Sequence, residues 1–153
     1  MWKRKRRKLA EDQKELEIKD LSIHDVRRAV HRYASLKPNG VPLSVIIKDD
    51  LTIDYQLLAP YIDGIPEKNY YMSRETYELF EEEDLQLAKD LDLVQQAVDR
   101  YMQQTNELPV INGDPYKKVS YFKLEGAHLL PERPEREFYL TDEEFMITYQ
   151  KPK

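Results

Sequence analysis

Two stretches of this chain are nearly one phrase written twice: VRRAVHRY, Val26 to Tyr33, and VQQAVDRY, Val94 to Tyr101. Val26, Ala29, Val30, Arg32 and Tyr33 match Val94, Ala97, Val98, Arg100 and Tyr101 at an offset of 68 residues. In both, the apolar letters recur at the spacing of one helix face. Further anchors follow in the same order. Asn39 and Pro42 align with Asn106 and Pro109 at offset 67, and Pro66 with Pro134 at offset 68. At that offset YYMS (Tyr70 to Ser73) also aligns with FYLT (Phe138 to Thr141), Glu75 with Glu143 and Tyr77 with Phe145. Ordered anchors at a nearly constant offset point to a tandem duplication. A unit of that length is small for a core of its own. The expected fold class is therefore α+β, with two tandem related helix-plus-strand units packed as one pseudo-symmetric domain. Residues 1–20 read as a charged, flexible N-terminal arm, 21–88 as the first unit and 89–153 as the second.

Local signals give the expected elements. Ser22 and Asp25 stand at capping-box spacing, with Asp in place of the usual Glu, before a helix that KPNG stops. VPLSVII is β-branched and predicts a strand, KDD a turn and LTIDY a returning strand. DYQLLAPYI predicts a short helix capped by Asp54 and disturbed by Pro60, and NYYM a brief extended segment. SRETYELFEEED predicts a helix capped by Ser73. A second long helix is expected from about Asp90 until TNELPV. YKKVSYFKL has the look of a strand. EFYL and FMITYQ flank TDEE as a terminal hairpin, or Thr141 caps a short helix there.

The chemistry is bounded mainly by what this chain does not spell. Across 153 residues there is no cysteine, hence no disulfide framework and no thiolate metal site. Only four glycines occur, and no phosphate loop, dinucleotide fingerprint, nucleophile elbow or metalloprotease motif appears. His24 and His31 lie two helical turns apart, roughly 10 Å, too far to share one ion. His128 has no evident partner in sequence. All three histidines read as surface or packing residues. EEED, Glu81 to Asp84, reads as a solvated helix end and lacks the spacing of a calcium loop. No catalytic residue, metal ligand or cofactor is therefore expected, and the chain is not expected to be an enzyme. The alternative is a small-ligand sensor or enzyme with its site in the cleft between the two units.

Charge and aromatic residues supply the candidate binding features. The net charge of −5 hides six consecutive cations, Lys3, Arg4, Lys5, Arg6, Arg7 and Lys8, preceded by Trp2. The rest carries 18 basic against 29 acidic side chains. Such an arm suits weak, salt-sensitive contact with an anionic membrane surface. Nucleic acid is disfavoured as a partner, because the body is acidic and no basic strip is read on a folded element. Tyr70, Tyr71, Phe138 and Tyr139 stand paired at matching positions; neighbours in a strand face opposite ways, so one of each pair is a candidate for an outward partner surface. Arg32 and Arg100 lie at the flank of the apolar stripe and are expected to lay their stems on the core and pair with carboxylates. No apolar run approaches a membrane span, and none follows the basic block as in a secretory signal. The expectation is a cytoplasmic binding or scaffold protein with a protein partner, with Trp2 to Lys8 as its candidate peripheral contact with the membrane.

Two stretches, VQQAVDRYMQQTNELPVINGDPYKKVSYFKL and IDYQLLAPYIDGIPEKNYYMSRETYELFEE, resemble an uncharacterised family of small proteins from Bacillus and its relatives. The resemblance implies bacterial origin, and the family has no established activity to carry over. The fragment AVDRYMQQTNELP is also similar to the segment that follows the hydrophobic helix of pilins and pseudopilins. The apolar N-terminal helix that assembles pilins is not written here, so that function is not carried over.

Overall fold

The structure, a computed structural model, describes residues 15–152. The described residues form three α-helices and three two-stranded sheets. They divide into two compact units: residues up to Met72 together with Leu79–Glu83, and Ser73–Glu78 together with Asp84–Lys153.

The first unit opens with β1 (Ile18–Lys19), which pairs in parallel with β2 (Ile65–Pro66). The described end of the charged leader is therefore a strand and not a free arm. Gly64 is required here: a Cβ at that position would lie 2.5 Å from the Glu17 carbonyl oxygen, closer than any side chain tolerates. Helix α1 (Ile23–Leu36) starts where the sequence places it. Ser22 Oγ accepts from the Asp25 amide at 3.2 Å, and the Asp25 carboxylate accepts from the Ser22 amide at 2.8 Å, a complete capping box. These donors, with Arg28 beside them, hold the Asp25 carboxyl below its ordinary 3.8. Val26, Ala29 and Val30 enter the core, and Lys37 turns extended before Pro38 and ends the helix.

Downstream, two expectations are corrected. VPLSVII is a single 3-10 turn, Leu43–Ile46, in which the amides of Val45 and Ile47 bond to the carbonyls three residues back. Pro42 lacks a ladder donor, and consecutive Ile46 and Ile47 are both buried, which an alternating half-buried strand would not allow. Only an isolated bridge, Ile47 to Ile53, remains of the expected pairing. The turn between them is closed by Leu51, at φ 70°. DYQLLAPYI is a run of three-residue turns over Asp54–Tyr61, not a helix.

SRETYELFEEED departs furthest from expectation. It is the return of a hairpin: β3 (Tyr70–Met72) pairs antiparallel with β4 (Leu79–Glu81), Tyr71 opposite Phe80 and Met72 opposite Leu79. Tyr77 stands at φ 59°, outside helical space.

In the second unit, Ser73–Glu78 is held by α2 (Leu85–Thr105), which begins five residues earlier than expected and ends on Asn106 in the left-handed region. Leu87, Leu91, Val94, Val98 and Tyr101 form its apolar face. YKKVSYFKL is not a strand. Val119 and Lys118 make isolated bridges to Val110 and Tyr139, and Ser120 then caps a short helix, α3 (Tyr121–Gly126), by accepting from the Lys123 amide. The terminal hairpin is present as β5 (Tyr139–Leu140) and β6 (Ile147–Thr148).

Two tyrosines separate a satisfied hydroxyl from an unsatisfied one. The Tyr121 hydroxyl donates to the Arg136 carbonyl at 2.5 Å. The buried Tyr55 hydroxyl has no partner among the described residues. Burial raises both phenols, helped at Tyr121 by Asp90. Replacing Tyr55 by Phe is expected to raise stability by about 1 kcal/mol, whereas Tyr121→Phe is expected to lower it by about the same. Urea midpoints that move in the same direction would contradict this assignment.

Candidate functional site

All four aromatic residues expected at a partner surface are buried. Tyr70 and Tyr71 are 4% and 8% exposed, and Phe138 and Tyr139 0% and 6%. The strands carrying them are covered on both faces, so alternation turns neither side chain of a pair outward. This corrects the expectation. Their polar ends stay engaged: the Tyr70 hydroxyl donates to the Leu21 carbonyl at 2.9 Å, and that of Tyr139 to Glu137 at 3.1 Å. Trp2 to Lys8 lie outside the described residues.

What the structure does bring together is a cleft in each unit. In the first, of about 400 Å³, α1 supplies Asp25, Arg28 and Arg32, and the turns after Asp54 supply Tyr61, Ile62 and Asp63. Ile62 is a buried floor. In the second, of about 600 Å³, α2 supplies Leu93, Gln96 and Arg100, and the segment leaving α3 supplies His128, Leu129 and Leu130. Leu130 is its buried floor, and His128 reaches its position with φ at 60°. Both clefts are thus made where a long helix meets a later loop, the one after the Asp54–Tyr61 turns in the first and the one after α3 in the second.

The arginines behave differently from expectation. Among the described residues Arg32 and Arg100 have no carboxylate partner, although acidic side chains are numerous. Both side chains are exposed. Their guanidinium donors therefore face solvent at the rim of an apolar floor, an arrangement that favours an anionic or acceptor-rich group. Neighbouring cations are committed elsewhere. Arg28 pairs with Asp25 at 2.5 Å, Arg133 with Glu125 at 2.5 Å, and Arg136 with the buried Asp90 at 3.1 Å. Gln86 adds a donor to Asp90 at 2.9 Å.

The other buried polar groups are structural fasteners within the second unit. Asp92 accepts from Ser73 Oγ at 2.5 Å and from the Arg74 and Glu75 amides at 3.0 and 3.2 Å. Gln95 accepts from the Ile147 amide at 2.8 Å and donates to the Phe145 carbonyl at 3.2 Å. Sequence reading missed both, because their partners lie roughly twenty and fifty residues away; their one signal is a polar residue on the apolar face of α2. The three histidines are exposed, and His24 Nδ1 lies 3.0 Å from an Arg27 guanidinium nitrogen. Among the described residues no group of three or more acidic or imidazole side chains is placed to hold a metal ion. No helix among them is long and apolar enough to cross a membrane.

Comparison with known proteins places the chain in a family. It belongs to the family described as "Protein of unknown function (DUF3939)", which matches residues 16–149. No curated protein and no solved structure matches it.

Proposed function

We propose that this member of an unknown-function family is a non-enzymatic, cytoplasmic binding protein made of two tandem copies of one unit, residues 21–88 and 89–153, each holding part of a protein partner in its cleft. Several geometric parallels support the duplication. Hairpin partners Tyr71 and Phe80, Met72 and Leu79 correspond at offset 68 to Tyr139 and Thr148, Leu140 and Ile147. The hairpin loops close alike: the Ser73 amide donates to Glu78 at 3.0 Å and the Thr141 amide to Met146 at 2.8 Å. Tyr77 and Phe145, also 68 apart, both sit at positive φ, 59° and 60°. The segment that bridges to each hairpin agrees as well. Met72 donates to Leu51 and Leu140 to Lys117, both at 2.9 Å, and both acceptor residues have positive φ.

The observation that carries the functional reading is the correspondence of the clefts. Asp25, Arg28, Arg32, Tyr61 and Ile62 of the first fall at offset 68 on Leu93, Gln96, Arg100, Leu129 and Leu130 of the second. The arginine is kept at the rim in both and has no carboxylate partner among the described residues in either, while the residues around it differ. A kept anchor with changed surroundings suits two related but distinct subsites on one partner. Such a partner would present a carboxylate or carbonyl beside an apolar side chain.

The test is affinity capture from the native cell with the tagged full chain. Reproducible stoichiometric proteins are expected with the wild type, and their recovery is expected to fall at least about tenfold with Arg32→Ala plus Arg100→Ala. An unchanged set of captured proteins would remove the clefts from the reading.

A further inference from the structure

We propose that the outward face of α1 is a docking surface for an anionic phospholipid membrane. The face is written by the polar letters of the opening phrase. His24, Arg27, Arg28, His31 and Arg32 recur at i, i+3, i+4, i+7 and i+8, and all five are exposed. They make one cationic stripe of about 12 Å along the helix. The only carboxylate on α1 is Asp25, and of the stripe's cations it pairs with Arg28, whose side chain stays 77% exposed. Arg32 has no counter-ion among the described residues, and Arg27 turns towards His24. The same face ends on Leu36, 63% exposed.

Charge is also divided unevenly along the sequence. Residues 1–48 hold thirteen basic and six acidic side chains, and residues 49–153 hold eleven basic and twenty-three acidic. An anionic plane would attract the first group and repel the second. The six cations of Lys3 to Lys8 belong to the attracted part, so arm and stripe favour the same surface. A planar headgroup layer also fits better than a nucleic acid. The stripe offers no Phe, Tyr or Trp ring for base stacking and no Asn or Gln for base edges.

The contact would be electrostatic and superficial. The apolar face of α1, Val26, Ala29 and Val30, is already buried in the first unit, so the helix has no second apolar face to insert among acyl chains. Attraction of this kind weakens as the screening length falls from about 30 Å at 0.01 M salt to about 10 Å at 0.1 M.

The experiment is co-sedimentation of the full chain with phosphatidylcholine vesicles containing phosphatidylserine, at low and at physiological salt. A chain with Lys3 to Lys8 all changed to Gln is expected to keep measurable low-salt binding. Adding Arg27→Gln, Arg28→Gln and Arg32→Gln is expected to lower partitioning at least about tenfold, in both the natural and the neutralised-arm background. All three are exposed side chains, so thermal melts should not move appreciably. Arg100→Gln should leave vesicle binding unchanged, which separates this proposal from the cleft reading. The proposal is overturned if the neutralised-arm chain does not bind, or if the triple change has no effect. It is equally overturned if the stripe is needed for duplex DNA and not for vesicles.

Discussion

Asp92→Ala is expected to cost the protein about 3 to 5 kcal/mol, a large part of the stability of an ordinary domain. Asp92 is 8% exposed, and its carboxylate is the acceptor for a hydroxyl and two backbone amides of the Ser73–Glu75 segment. Alanine would leave the two amides without partners where water cannot replace the oxygen atoms. Ser73 is itself fully buried, and its hydroxyl also accepts from the Thr76 amide at 3.0 Å, so the loss would spread through the loop. Asp92→Asn should be milder, about 2 kcal/mol. It keeps one acceptor oxygen but turns an NH2 group towards a donor. Urea unfolding gives both numbers. Hydrogen exchange adds a local reading: the amides of Arg74 and Glu75 should lose protection in either variant before the helix interior does. A cost under about 1 kcal/mol for the alanine variant would mean that the carboxylate does not hold this loop.

The same carboxylate explains why part of the fold was illegible. SRETYELF carries a good helix cap in Ser73 and an acidic first turn, and local rules alone assign it to a helix. Asp92 competes for those amides from another element and captures them in a hairpin loop, which Tyr77 completes at positive φ. No local pattern announces a partner so far along the chain. VPLSVII failed for a different reason. Its β-branched residues are common to strands and to short buried turns, and Pro42 decides for the turn by supplying no ladder donor.

What was legible rested on short-range regularities. The period of Val26, Ala29 and Val30, and of Val94, Ala97 and Val98, identified both long helices and their buried faces. Ser22 with Asp25 marked one helix start to the residue, and alternation around TDEE marked the terminal hairpin. The clefts were not legible, since each joins a helix to a segment about thirty residues on. The α1 stripe was available in the sequence: the polar letters of VRRAVHRY place two histidines and three arginines on one face once His24 is added. Yet in the second phrase the positions of Arg27 and Arg28 are held by Gln95 and Gln96, and Gln95 is a buried fastener. The two helices keep one inner face and put their outer faces to different uses.

Phe138→Ala is expected to destabilise the second unit by about 3 to 5 kcal/mol. Phe138 is the largest fully buried side chain, and its carbonyl accepts from the Val119 amide at 2.9 Å, so ring and backbone both tie the entrance of β5 to the chain ahead of α3. Removing the ring forfeits its apolar burial and leaves a cavity that bonded strands on either side cannot close by collapse. For a chain of this length the melting temperature should fall by about 10 °C. Tyr70, the residue 68 positions earlier, gives the control. Tyr70→Phe keeps the buried ring and removes only the bond to Leu21, so it should cost about 1 kcal/mol. The pair also decides what the aromatic residues are for. If Phe138→Ala left the melting curve in place and weakened capture of a partner, the ring would be facing that partner. Loss of stability of the expected size, with Tyr70→Phe nearly silent, identifies these rings as the structural centres of their units.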